Sequence, residues 1–333
     1  MIFKWQESEW ERLAEWRGRL PHALLIYGAP GLGGTELALT FAQGLLCESP
    51  QAAGLPCARC RSCNWFAGGN HPDFRQVVPE SLLPDDPEAA EKSKKASTEI
   101  KIDQVRDLQG FLTIGTHRAG ARVVVMHPAE AMNIRAQNAF LKSLEEPTPG
   151  THFLLVSSQA DRLLATVRSR CQKFALNFPE TRLAVQWLEE QGHANGAALL
   201  AAAGGAPLLA LRQAETEGLR LRLLEQLRDP GFDPIALADW CQRHDTREVV
   251  GWLQRWIYDV LSFRTAARIR YHPGEEQAVG RVAKQCEPVA LAAYWRALAR
   301  AKALSGHPLN AKLFFEDLLI QYRTLLSAKT GAA

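Results

Sequence analysis

Ala23-Leu24-Leu25-Ile26-Tyr27-Gly28-Ala29-Pro30-Gly31-Leu32-Gly33-Gly34-Thr35 is the stretch on which the reading of this chain turns. Its first five residues are a short, continuous apolar run ending at glycine, as expected of a strand buried on both faces of a parallel sheet. The next eight carry the glycine spacing and terminal threonine of the phosphate-binding loop G-x-x-x-x-G-K-[ST]. In such a loop, backbone N–H groups and the helix N-terminus cradle the phosphates. The lysine reaches the β and γ oxygens, and the hydroxyl binds magnesium. Gly34 stands where that lysine belongs, and no lysine occurs between Lys4 and Lys92 to replace it. Gly28, Gly31, Gly33, Gly34 and Thr35 therefore read as a vestigial cradle. Either it is a plain strand-to-helix turn, or it retains weak nucleotide binding.

Downstream of the loop, Leu37, Ala38, Phe41, Ala42 and Leu45 recur at helical spacing and complete a strand, loop and helix unit. Further buried strands are expected at Phe74 to Val78, Arg122 to Met126, Phe153 to Val156 and Gln172 to Leu176. Helical patterns fall between them at about 101–112, 135–146 and 161–168. This alternation predicts an α/β domain with a parallel sheet. The stretch from Pro79 to Thr98, rich in Pro, Ser and charge, reads as a solvated surface loop.

The strand Arg122 to Met126 tests the loop independently. P-loop ATPases place acidic residues at such a strand end to hold magnesium and orient water. Here the strand ends in His127-Pro128-Ala129-Glu130, so histidine and proline replace the carboxylate pair and the nearest acid is two residues beyond. Both losses argue against ATP hydrolysis by this chain.

Cys47, Cys57, Cys60 and Cys63 form C-x9-C-x2-C-x2-C, a strong pattern for four thiolates closing tetrahedrally on a structural Zn²⁺. Four thiolates leave no open position for metal catalysis. His71, in Asn70-His71-Pro72-Asp73, is near enough to be considered as a ligand, but reads better as a turn residue. A nucleic-acid-binding zinc module is an alternative, although Arg59 and Arg61 are the only basic residues inside the cluster. Ser169-Arg170-Cys171 lies between a short helix and the last strand. An arginine there could form a surface salt bridge, or reach a neighbouring subunit's nucleotide site and stabilise the transferring phosphoryl group.

With 333 residues, 47% apolar and 23% charged, the chain is long enough for two or three globular domains. A net charge of +3 neither requires nor excludes nucleic acid. The Trp-rich, charged start MIFKWQESEWERLAEW does not read as a signal peptide, and no run of about 18 apolar residues occurs, so a cytoplasmic protein without a membrane span is expected. Beyond Asn177 the pattern turns helical. Thr181 to Gln191 and Gly196 to Leu211 form a small unit punctuated by Gly204-Gly205-Ala206-Pro207. In the longer helices that follow, Val249, Val250, Leu253, Trp256, Ile257, Val260 and Leu261 form one apolar stripe. Leu313, Phe314, Leu318 and Ile320 form another, behind an Asn310 cap.

Together these pieces resemble the clamp-loader subunits of the AAA+ superfamily that serve bacterial DNA polymerase III. The residues carrying the resemblance are Pro21-His22-Ala23-Leu24-Leu25, the four cysteines, His71-Pro72-Asp73, Asn138-Ala139-Phe140-Leu141-Lys142-Ser143-Leu144-Glu145-Glu146-Pro147 and Ser169-Arg170-Cys171. The resemblance covers nearly the whole chain. It implies an AAA+ α/β domain over 1–177 with a zinc module at 47–63, a small helical lid over 178–216, and an all-α collar domain over 217–333. The ATP-hydrolysing tau/gamma members of the family share both long motifs and the cysteines but keep the lysine and the acidic pair. The departure here implies a non-hydrolysing subunit with no productive ATP binding. Carried over by position, Arg170 becomes an arginine finger supplied in trans, with Ser169 and Cys171 as its motif. Leu208 stands where those relatives carry a sensor arginine, and Ser157 or Ser158 falls at the other sensor position. The implied partners are tau/gamma and delta subunits, a sliding β clamp and primed DNA, with no membrane. An active ATPase with an unusual loop and a zinc-dependent nucleic-acid-binding module are the competing readings.

Overall fold

Among the described residues five short strands, β1 (Ala23–Tyr27), β2 (Phe74–Val77), β3 (Arg122–Met126), β4 (Thr151–Ser157) and β5 (Gln172–Ala175), align in parallel in the order β2-β3-β4-β1-β5. The computed structural model describes residues 2–83, 96–113, 120–306 and 309–327, so residues 84–95 of the expected Pro79 to Thr98 loop lie outside the described residues. Two compact units are present, Met1–Leu183 and Ala184–Ala333.

In the first unit β1 lies between β4 and β5, with Ala23 beside Phe153 and Tyr27 beside both Ser157 and Ala175. Successive side chains of a strand alternate between faces, so one run of apolar residues supplies two cores. Leu24, Ile26, Val123, Val125, Leu154 and Val156 face α1 (Glu7–Trp16) and α2 (Gly34–Leu46). The opposite face, with Leu25, Val124, Met126, Phe153 and Leu155, is covered by α4 (Ile102–Thr113), α5 (Ile134–Glu145) and α6 (Ala165–Ser169). A short helix, α3 (Arg61–Ala67), follows the cysteine-rich segment. These are the layers expected of an AAA+ α/β domain. The helix expected at 161–168 is instead a 3₁₀ turn at Ala160–Arg162 followed by α6, because Leu163 and Leu164 take extended backbone.

The second unit is helical. A small apolar cluster, including Ala184, Leu188, Leu199, Leu200 and Ala210, joins α7 (Thr181–Glu190), α8 (Gly196–Ala202) and α9 (Pro207–Ala214). The break between α8 and α9 falls at Gly204 and Gly205, whose φ values of 71° and 95° favour glycine. A larger core unites α10 (Glu217–Leu227), α11 (Pro234–Cys241), α12 (Thr246–Ala266), α13 (Glu276–Gln285), α14 (Pro288–Leu304) and α15 (Ala311–Ser327). On α12 the expected stripe is buried from Val249 to Val260, while Leu261 packs at its margin. Asp259, fully buried on that helix, accepts the backbone N–H groups of Arg270, Tyr271 and His272 and pairs with His272 Nδ1, which pins the following loop.

The stripe expected on α15 is corrected. Phe315, Leu318, Leu319, Tyr322 and Leu326 are the buried residues, whereas Leu313 and Ile320 are exposed. The helix carries apolar residues around most of its circumference, so periodicity alone left its phase undetermined. Its Asn310 cap is present, with Asn310 Oδ1 accepting the Leu313 N–H at 3.2 Å. Among the described residues no single helix is long and apolar enough to cross a membrane.

Candidate functional site

The glycine loop emerges from β1 and enters α2 at Gly33, whose φ of 88° makes it a left-handed N-cap. Gly28 donates its N–H to Ser157 O at 3.3 Å, holding the loop against the end of β4. The carbonyl side of the loop is covered by the N-terminus. The N-terminal turn Lys4–Gln6 lies on the loop: Gln6 Nε2 donates to Leu32 O at 3.1 Å and Gly33 O at 2.7 Å, and Trp5 Nε1 donates to Leu32 O at 3.2 Å. Phe3 stacks on Trp5 with ring centroids 4.5 Å apart. A Cβ at position 33 would lie 2.6 Å from Gln6 Nε2 and 3.0 Å from the Phe3 ring.

Gly34 faces a second wall. A Cβ there would fall 3.0 Å from Leu176 Cδ1 and 3.2 Å from Val156 Cγ1, closer than ordinary carbon–carbon contact. A lysine therefore requires both strand-end side chains to yield before its ammonium can reach into the loop. Sequence reasoning finds the missing charge. It misses Phe3, Trp5, Gln6, Val156 and Leu176, which the fold gathers from three distant segments around the loop.

At the end of β3, His127 is half-buried and its burial holds its pKa below the usual histidine range, so its imidazole is neutral at pH 7. Its Nε2 is 2.7 Å from Gln76 Nε2, a contact in which the amide N–H donates to the ring. The His127–Pro128 peptide is cis. Neither residue offers the anionic oxygen that magnesium favours. Glu130 is engaged elsewhere: its Oε1 accepts the Ser158 N–H at 3.0 Å and the Ser158 hydroxyl at 2.7 Å. Ser157 Oγ accepts the Gln159 N–H at 3.2 Å, a local turn contact beyond β4. Leu208 is in the first turn of α9.

The four cysteines converge. Cys47 caps the C-terminus of α2, Cys57 lies in the connecting segment, Cys60 N-caps α3, and Cys63 is in the first turn of that helix. Their Sγ atoms all lie within 4.8 Å of one another, with Cys47–Cys60 at 3.9 Å and Cys57–Cys63 at 4.0 Å. A tetrahedron with metal–sulfur distances of about 2.3 Å has edges of about 3.8 Å, so the four thiols are grouped as a metal such as zinc requires. The separations are far longer than a disulfide bond of about 2 Å. Backbone N–H donation, first from Arg59, lowers the Cys57 thiol to about 6. Burial raises Cys47 and Cys63. His71 is outside this group. Its Nδ1 accepts the Asp73 N–H at 3.1 Å, and its Nε2 contacts Ser62 Oγ at 2.9 Å, while Ser62 donates to Leu46 O. The histidine thus braces α3 against α2 from behind the cluster.

Ser169-Arg170-Cys171 divides its side chains. Cys171 is buried in the core beneath α5 and α6, and burial raises its thiol to about 11. Ser169 Oγ turns back onto Thr166 O at 3.1 Å. Arg170 remains 36% exposed, with Nη1 donating to Thr166 O at 3.0 Å and Nη2 placed 2.6 Å from Glu145 Oε1. Glu145 ends α5, so the structure joins two motifs that sequence presents separately. The surface salt bridge considered for Arg170 is present, with a partner that spacing did not indicate.

A sequence profile described as DNA polymerase III, delta subunit, matches residues 6–180, and one described as DNA polymerase III, delta subunit, C terminal, matches residues 217–324. The chain is similar to DNA polymerase III subunit delta' of Pseudomonas aeruginosa at 34% identity, over 97% of this chain and 98% of that protein. It is similar to subunit delta' of Escherichia coli K12 at 31% identity, over 96% of this chain and 94% of that protein. DNA polymerase III subunit tau of Salmonella typhimurium is similar at 30% identity, over 48% of this chain and 22% of that protein.

Proposed function

The chain belongs to the delta prime family of DNA polymerase III subunits, and from that premise we propose that it is a non-hydrolysing clamp-loader subunit. In this reading it assembles with tau/gamma and delta subunits and helps place a sliding β clamp on primed DNA. It binds no nucleotide productively. Its chemical contribution is Arg170, given as an arginine finger to a neighbouring tau/gamma ATP site. The observation that carries the reading is the glycine at the lysine position, Gly34, where any Cβ would press on Leu176 and Val156 at 3.0 and 3.2 Å. The tether between Glu130 and Ser158 supports it, because one carboxylate oxygen of the nearest acid to the β3 end is engaged by Ser158.

The remaining parts take supporting roles. Residues 1–177 form the AAA+ domain, and Cys47, Cys57, Cys60 and Cys63 hold a structural Zn²⁺ that ties α2 to α3. Residues 178–216 act as lid and 217–333 as collar, where exposed Leu313 and Ile320 are available to a partner helix. Guanidinium is suited to this task because its planar fork matches phosphoryl oxygens and stays charged.

The test is ATP turnover by the assembled complex with this chain, without it, and with its Arg170→Ala variant. Stimulation by a chain that has no turnover of its own, lost on removal of the arginine without loss of assembly, is expected. Turnover by the isolated chain, abolished by Thr35→Ala, would instead identify an active ATPase.

A further inference from the structure

We infer that Glu145 is a positioning residue for Arg170, an assignment that rests on the arginine-finger reading above. The guanidinium is held at both ends of its fork. Glu145 Oε1 lies 2.6 Å from Nη2, and Thr166 O accepts from Nη1 at 3.0 Å. The two holders belong to different helices. Glu145 is the last residue of α5, and Thr166 lies on α6, whose C-cap is Arg170 itself.

Two features make this an arrangement for presentation. Carbonyl groups at a helix C-terminus carry partial negative charge, so the end of α5 attracts the cation even apart from the carboxylate. Arg170 N–H bonds to Val167 O, leaving Thr166 O to the Arg170 and Ser169 side chains. The remaining N–H donors of the fork stay available for an outside oxygen. A free arginine spreads over many rotamers, and ordering it only at the moment of reaction costs rate. Glu145 and Thr166 supply that order beforehand. At 50% exposed, Glu145 stays hydrated, so the pair holds the side chain in direction without burying its charge. Glu146, the neighbouring acid, takes no part in the contact and serves as a matched control.

The experiment uses the complex assembled with tau/gamma and delta subunits, with co-purification confirming assembly of each variant. Glu145→Ala is expected to lower the single-turnover rate of ATP hydrolysis at the site that receives Arg170 about fivefold, the upper range for an exposed ion pair, with ATP affinity at that site unchanged. Glu146→Ala is expected to match the unmodified chain. In the Arg170→Ala background Glu145→Ala is expected to add no further loss, because both act through one contact. A Glu145→Ala loss that persists undiminished in that background overturns the assignment. So does full turnover of Glu145→Ala beside impaired Arg170→Ala. Unchanged turnover of Arg170→Ala itself would defeat the underlying arginine-finger reading, and the Glu145 assignment with it.

Discussion

The glycine loop and the Ser169–Cys171 corner belong to the same α/β unit and treat their polar chemistry in opposite ways. At the loop, glycine stands at the lysine position amid close packing: Leu176 and Val156 lie beside Gly34, while Gln6 and Trp5 bond the carbonyls of Leu32 and Gly33. At the corner, packing stops short of the functional atom. Cys171 anchors the turn in the core, and Arg170 is left 36% exposed with its fork held at two points. The contrast separates a glycine loop packed closely against the core from a corner that keeps an exposed cation at the edge of the same sheet.

The largest expected effect breaks the comparison at its open end. On the proposed arginine-finger reading, removing Arg170 should lower turnover at the receiving ATP site by roughly 10³-fold. Single-turnover kinetics on the receiving site are the readout. An unchanged rate would reduce the corner to an ordinary surface ion pair.

Next in size is Gly34→Lys, which probes the closed end. Overpacking against Leu176 and Val156 should cost about 1–3 kcal/mol, read as a lower denaturation midpoint. No ATP binding should be gained. Recovery of binding with unaltered stability would show that the cradle was open all along. The smallest expected effect is that of Gln6→Ala, which removes a buried amide donating to Leu32 O and Gly33 O. It should cost about 1 kcal/mol and speed hydrogen exchange at residues 31–35 selectively. Exchange that rises evenly across the sheet would instead mean that Gln6 serves the domain and not the loop.

How far the sequence could be read follows from the range of the interactions concerned. Strands β1 and β3 were legible to their last residue because unbroken apolar runs between polar breaks leave few alternatives. The cysteine spacing foretold the cluster for a similar reason, since its ligands lie within 17 residues of chain and two helix ends. The loop's closure was not legible. Gln6, Val156 and Leu176 reach Gly33 and Gly34 from opposite ends of the domain, and no local pattern marks them. The same holds for Glu145, whose pairing with Arg170 depends on how α5 and α6 end beside each other. On α15 the failure was of another kind, because Leu313 and Ile320 are apolar yet outward-facing and blurred the period.

Equilibrium binding of labelled ATP to the isolated chain in the presence of magnesium tests the central claim most directly. No saturable binding at millimolar nucleotide and no hydrolysis are expected, whether or not Arg170 is intact. Stoichiometric, magnesium-dependent binding that is lost in Thr35→Ala would contradict the non-hydrolysing reading, because the loop would then still be a nucleotide site.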